Sequence, residues 1–192
     1  ALNKGEFAGV GALSCTSAGN CSAAGIYTPS LPTAPEERQV YVADEKNGTW
    51  APATEMPGLA ALSVRDWSVV NSMSCTSAGT CAAGGLYEDS AGIYQAFVIN
   101  ETHGTWGQAI ELPGTAALDK GNESPVESVS CVSAGNCVAG GYYDSYVGQY
   151  HVHLRAFVAD QTGGVWRRAG QVPGTAALNT GENARVSTVS CA

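Results

Sequence analysis

Charge is scarce in this chain. Only 14% of its 192 residues are Asp, Glu, Lys or Arg, too few to hold a segment open by self-repulsion. Basic residues are scarcer still, nine against 17 acidic ones, for a net charge of −8. That excludes nucleic acid as a partner, because backbone-driven binding needs clustered Lys and Arg, and it excludes attraction to an anionic membrane surface. No apolar run approaches the roughly 18 residues of a membrane helix, so no membrane insertion is expected. No basic-then-apolar leader stands at the amino terminus, and the chain reads as a mature or excised piece. Nucleophile elbow, phosphate loop and EF-hand patterns are all missing. No catalytic residue, no metal and no cofactor are therefore expected. Nor does any stretch carry the apolar period of an amphipathic helix.

What is plentiful is glycine, 24 residues, beside seven cysteines in regular positions. The cysteines mark an internal repeat. Ser-Cys-Thr-Ser-Ala-Gly-Asn-Cys at 14–21 returns as Ser-Cys-Thr-Ser-Ala-Gly-Thr-Cys at 74–81 and Ser-Cys-Val-Ser-Ala-Gly-Asn-Cys at 130–137. A fourth copy begins as Ser-Cys-Ala at 190–192. Each complete copy carries a Gly-x-Trp element ending at Trp50, Trp106 or Trp166, then Pro-Gly at Pro57, Pro113 or Pro173. The reading is one repeat domain over 1–192, with repeats at about 1–58, 59–114 and 115–174 and the first strand of a fourth at 175–192. Each Trp precedes the next first Cys by 25 residues, whereas Cys to Trp within a repeat varies between 31 and 35. The variation falls at 28–39, 88–94 and 144–154, and length change belongs in exposed loops.

Each repeat is expected to hold four short strands, one on either side of the Cys pair, one at Gln39–Ala43 and its counterparts, and one centred on the Trp. The Leu-Ala-Ala-Leu and Thr-Ala-Ala-Leu stretches have room for one helical turn. Ser17-Ala18-Gly19 suits a three-residue hairpin loop with Gly19 in the left-handed region. Cys15 then faces Cys21 across two strands at about 4.5 Å between Cα atoms, within disulfide range. The same holds for Cys75 with Cys81 and Cys131 with Cys137. Zinc sites use closer spacing and four ligands, so disulfides, and an oxidising extracellular or cell-surface address, are the expectation. Cys191 is left over, and is read as belonging to a longer array or to an intermolecular bond, with self-association through the chain ends.

The pattern Val-Ser-Cys-x-Ser-Ala-Gly-Asn-Cys-x-Ala-Gly-Gly followed by Gly-x-Trp resembles extracellular bacterial BNR-like β-propeller repeats over nearly the whole chain. The resemblance implies an all-β fold of three tandem four-stranded antiparallel blades, with the Trp packed between neighbours. A threefold β-prism or β-trefoil is the alternative. The chain departs from BNR sialidases: their Asp-box survives only as Gly-Thr-Trp in two repeats, and no arginine triad is identifiable among its six Arg.

Candidate residues follow from the register. Trp50, Trp106 and Trp166 are read as repeat core. Tyr27, Tyr87 and Tyr143 recur just after a glycine, and with Tyr94, Tyr146 and Tyr150 at the tips they are candidate binding residues. His151 and His153 share a strand face, but no third ligand accompanies them, and His103 is read as a turn residue. Glu88 with Asp144, and Asp44 with Asp160, are read as turn formers and solubilising charges. The functional expectation is an extracellular non-catalytic binding or display module for glycan or a surface protein. A self-assembling structural array and a glycoside hydrolase are the alternatives.

Overall fold

The computed structural model describes residues 2–4, 7–29, 37–147 and 151–192. The chain is all-β, with three antiparallel sheets on one plan, not closed into a barrel. In the first sheet β1 (Ala8–Ser17), β2 (Asn20–Tyr27) and β3 (Gln39–Lys46) form a meander. Two short strands, β4 (Thr49–Trp50) and β5 (Thr54–Glu55), both pair with β3, and the helical turn α1 (Leu59–Leu62) follows. The second sheet repeats this with β6 (Ser68–Ser77), β7 (Thr80–Glu88), β8 (Tyr94–Thr102), β9 (Thr105–Trp106), β10 (Ile110–Glu111) and α2 (Thr115–Leu118). The third has β11 (Val126–Ser133), β12 (Asn136–Val147), β13 (His151–Thr162), β14 (Val165–Trp166), β15 (Gly170–Gln171) and α3 (Thr175–Leu178).

The expected single fourth strand is split. Trp106 opposes Glu101 and Ile110 opposes Val98, so four steps on the edge match three on β8. One extra residue makes a bulge, which re-aims the backbone. Its effect is concrete: the Ala109 N–H turns away from β8 and donates to the Pro57 carbonyl of the preceding repeat at 2.8 Å. Ala169 does the same to Pro113 at 2.7 Å.

The cysteine hairpins are tighter than expected. Ser17 pairs with Asn20, leaving two loop residues, Ala18 and Gly19, rather than three. Gly19 takes φ +73 and its carbonyl accepts the Gly48 N–H at 2.9 Å. A Cβ on Gly19 would sit 2.7 Å from that nitrogen, so both the backbone angle and the close approach require glycine. The same bond joins Gly104 to Gly79 and Gly164 to Gly135. Each disulfide hairpin thus rests on the turn between the third and fourth strands of its own sheet. The three bridges are formed: Cys15–Cys21, Cys75–Cys81 and Cys131–Cys137, with Cα separations of 4.0, 4.0 and 3.9 Å.

The core lies between sheets. Phe97 and Ile99 of β8 pack toward the first sheet with Val40, Val42, Met56 and Val70. Ala96 and Val98, on the other face of the same strand, pack toward the third with Val126, Leu112 and Phe157. A strand buried on both faces reads as a continuous apolar run, which is why Ala96-Phe97-Val98-Ile99 shows no alternation. Each such side chain contributes about 1.5–3 kcal/mol.

Candidate functional site: a carboxyl pair in the cleft between two sheets

Neighbouring sheets are joined by the same polar contacts at each step. The Cys75 N–H donates to Ser14 Oγ, the Cys131 N–H to Ser74 Oγ and the Cys191 N–H to Ser130 Oγ, each at 3.0 Å. Residues 184–192 therefore lie along the third sheet as β11 lies along the second. Cys191 is a half-buried free thiol whose Sγ donates to the Ser130 carbonyl at 3.7 Å. The tryptophans form the second contact. Trp106 Nε1 donates to Asp44 Oδ2, and Trp166 Nε1 to Asn100 Oδ1, both at 3.2 Å.

This contact corrects the uniform reading of the tryptophans as core. Trp166 is 5% exposed and Trp106 packs half-buried on the core, but Trp50 is 45% exposed. The indole is covered by the preceding repeat, and the described residues hold none before Trp50. Asp44 is likewise no turn former: it lies within β3 and receives the neighbouring indole.

The residue opposite the Trp in register is Glu45, Glu101 or Gln161, and at the two junctions Glu101 comes beside Asp44 and Gln161 beside Asn100. At the junction of sheets two and three the group is an amide. Gln161 Nε2 donates to Asn100 Oδ1 at 2.8 Å and to the Gly164 carbonyl at 3.3 Å. At the junction of sheets one and two the corresponding groups are carboxyls, Glu101 and Asp44. Glu101 is 2% exposed. Neither of its oxygens, nor Asp44 Oδ1, has a hydrogen-bond donor, and at the other junction Gln161 Oε1 lacks one as well. Among the described residues no Lys, Arg or His lies within ion-pair distance of either. Burial, then repulsion from Asp44, then a side-chain hydrogen bond with Asp44 push the Glu101 carboxyl from 4.5 up to about 7. The absence of a donor and that hydrogen bond are consistent. Two ionised carboxyls offer only acceptors, and a single proton turns their contact into a bond.

The pair opens onto a cleft of about 590 Å³ between the first and second sheets, walled by their disulfide hairpins. Among its other polar side chains are Ser14, Thr16, Asn20, Glu45, Lys46 and His103. The cleft between sheets two and three is about half as large, about 300 Å³, and Glu101 also lines it.

The tyrosines divide into three groups. Tyr27, Tyr87 and Tyr143, proposed for binding from their register, are 3%, 3% and 5% exposed. They are core instead: their strand faces the adjacent sheet, and their hydroxyls reach only its rim. Tyr27 Oη donates to Gln39 Oε1 at 2.7 Å and Tyr87 Oη to Glu111 Oε2 at 3.2 Å. Burial first, then Glu55 and Asp66, push the Tyr27 hydroxyl up to about 12. Tyr94 is half-buried and meets Trp67 edge to face at 4.8 Å between ring centres, with the Arg38 guanidinium 5.9 Å from the same indole. Tyr146 is exposed at the tip of the third sheet. Tyr150 lies outside the described residues.

The histidine pair does not converge on a metal. His151 is exposed, while His153 Nε2 lies 3.2 Å from Glu182 Oε1. His103 sits in its turn at φ +52. Glu88 pairs with Arg65 at 3.5 Å, and Asp144 Oδ2 accepts the Asn122 N–H at 3.4 Å. The sequence signal for the carboxyl pair was the column facing the Trp, which reads Glu, Glu, Gln beside a column reading Asp, Asn, Asp. Only the offset of one repeat across the junction brings Glu101 to Asp44. The chain matches no protein-family model and no curated protein.

Proposed function

We propose that this chain is an extracellular, non-catalytic binding module whose ligand site is the cleft between the first two sheets. The observation that carries this reading is the cleft itself, about 590 Å³. It is the size of a small-ligand site, and its walls are held by two disulfide hairpins. Hydroxyl, amide, carboxyl and ammonium groups converge there, the mixture that recognises a polyhydroxylated ligand such as a short glycan. Three disulfides in register support an oxidising address. The sheets are read as successive propeller-like blades with β1, β6 and β11 adjacent, in keeping with the resemblance to BNR-like repeats. A glycosidase reading is disfavoured. It needs two carboxyls flanking a scissile bond on an accessible surface, whereas the Glu101 carboxyl is 2% exposed against Asp44. Glycan-array screening followed by calorimetry tests the proposal, with Ala78→Trp blocking the cleft from an exposed hairpin tip. Binding lost in that variant supports the site. Binding that survives it, or silence across all glycans, overturns the reading.

A self-assembling array is favoured by a different observation. Val10 is 65% exposed, whereas its counterparts Val70 and Val126 are 2% and 0% exposed beneath the preceding sheet. At the other end Leu178 is exposed where Leu62 and Leu118 pack on the core. The Val10 face is one half of the junction already formed twice within the chain, and on the third sheet residues 184–192 cover part of the matching half. Sedimentation velocity across a concentration series checks this reading: head-to-tail growth supports it and a strict monomer removes it.

A further inference from the structure

The two junctions inside the chain use the same pairs of groups, and the third set of those groups is split between the two outer sheets. Trp106 and Trp166 donate to Asp44 and Asn100 of the preceding sheet. The remaining indole of that register, Trp50, and the remaining acceptor, Asp160, are both exposed. The Ala109 and Ala169 N–H groups donate to the Pro57 and Pro113 carbonyls, and the remaining members, Ala53 and Pro173, are exposed too. Only one seat of the third set is filled. Val186 and Val189 stand five and two residues before Cys191, as Val126 and Val129 stand before Cys131. They pack on Gly140, where a Cβ would meet their Cγ1 atoms at 2.5 and 3.2 Å. Gly84 makes the same room for Val126, at 2.9 Å.

We propose that the Val10 face of the first sheet docks on the third sheet of a second copy of this chain, and that it does so by taking the seat residues 184–192 hold. The occupant follows from the pairing, because only this chain carries the missing half of every pair. Trp50 of one copy reaches Asp160 of the other, the Ala53 N–H reaches the Pro173 carbonyl, and Val10 and Leu13 take the floor at Gly140. The Ser128 and Ser130 hydroxyls accept the Val189 and Cys191 N–H groups at 3.0 Å. They can accept Leu13 and Cys15 instead, which hold on β2 the register that Met73 and Cys75 hold on β7. The exchange favours the incoming strand. None of residues 184–192 is buried and none belongs to a strand. β1 is paired with β2 along its length and stapled by Cys15–Cys21, so its side chains arrive ordered and lose less freedom on docking. Val10 and Leu13, 65% and 57% exposed, leave water in the process, which supplies the driving force. Residues 184–192 are thus a detachable cap that sets the concentration at which copies associate. This deepens the array reading and rests on it, and it is independent of any ligand in the cleft.

The test is sedimentation velocity over a concentration series, at a salt concentration that screens the net charge of −8 on each copy. It compares the intact chain with a cap variant, Val186→Asp/Val189→Asp. Cys191, half-buried on Ser130 while the cap is seated, reports displacement through its alkylation rate. The intact chain is expected to associate head to tail, with Cys191 approaching the rate of the urea-unfolded chain as assembly proceeds. The cap variant should show that fast rate already as a monomer and associate at about tenfold lower concentration, because the competent state is no longer a minor one. Val10→Asp changes an exposed side chain, so it should leave the monomer's melt unchanged and abolish association in either background. Association that ignores Val10→Asp overturns the proposal, as does a cap variant that associates no more readily than the intact chain. Assemblies of the intact chain in which Cys191 stays protected overturn the displacement and leave the array reading standing. A cap variant that is a strict monomer removes both.

Discussion

Replacing Glu101 by Gln is expected to stabilise this protein above neutral pH and to change little in acid. The Glu101 carboxyl is pushed from 4.5 up to about 7 in the folded chain, first by burial and then by Asp44. A raised acid loses stability as pH rises, because the unfolded chain ionises near 4.5 while the folded one resists until about 7. The cost is thus absent below pH 4.5, grows through that window and is flat above it. At about 1.4 kcal/mol per pH unit, the full cost approaches ~3 kcal/mol. Glu101 is 2% exposed, so solvent screening removes little of it. Gln at this position keeps the shape and brings its own protons, as Gln161 does against Asn100 at 2.8 Å. Urea unfolding at pH 4, 5.5, 7 and 8.5 measures the difference directly. The variant should match the parent at pH 4 and exceed it by up to about 3 kcal/mol at pH 8.5. Parallel stability profiles across that range would refute the argument, because they would mean the carboxyl is solvated in the folded state.

Three further outcomes follow from the repeat geometry. Trp166→Phe is expected to cost about 1–3 kcal/mol through the lost inter-sheet hydrogen bond and packing. Trp50→Phe, at the same register but 45% exposed, should stay within about 0.5 kcal/mol, and urea midpoints of the two variants make the comparison. Gly79→Ala imposes φ +73 on alanine and sets its Cβ 2.7 Å from the Gly104 nitrogen. A loss of at least about 2 kcal/mol is expected, whereas Ala78→Ser beside it should be silent; thermal melts of both check this. Removing the Cys131–Cys137 bridge as a pair of alanines frees a seven-residue loop and should cost about 2.4 kcal/mol by chain entropy. Calorimetric Tm before and after reads it.

Much of the fold was legible because it rests on local chemistry repeated three times. The Cys-x-Ser-Ala-Gly-x-Cys spacing allows only a hairpin whose sulfurs face each other, and Ser17 paired with Asn20 shows it closed one residue tighter than expected. The split edge strand was not legible. Nothing in Gly107-Gln108-Ala109 marks a bulge until the Pro57 carbonyl of the preceding repeat is there to take the Ala109 N–H. The tyrosines misled for a related reason. Register showed that Tyr27, Tyr87 and Tyr143 share a strand position, but which face that position presents depends on the next sheet. With sheets on both sides of β7, Tyr87 has nowhere exposed to point. Trp50 failed in the opposite sense, since its burial in the other copies belongs to the neighbour.

The candidate site was hidden by the same logic. Asp44 and Glu101 lie 57 positions apart in the chain and meet only because repeats stack with an offset of one. The meaning of that meeting comes from its counterpart. If joining two sheets required only a polar contact, Gln161 and Asn100 show that neutral amides supply it, with hydrogen bonds at 2.8 and 3.2 Å around Asn100 and one oxygen, Gln161 Oε1, left without a donor. A buried carboxyl pair in the equivalent place is then a cost without a structural return, because like charges out of water repel unless a proton or a cation intervenes. Strongly displaced carboxyls gather at functional sites for this reason. Here the displaced one, Glu101, opens onto the larger of the two clefts. Function in this chain is therefore sought where one junction departs from the other, because whatever both junctions share already accounts for their packing.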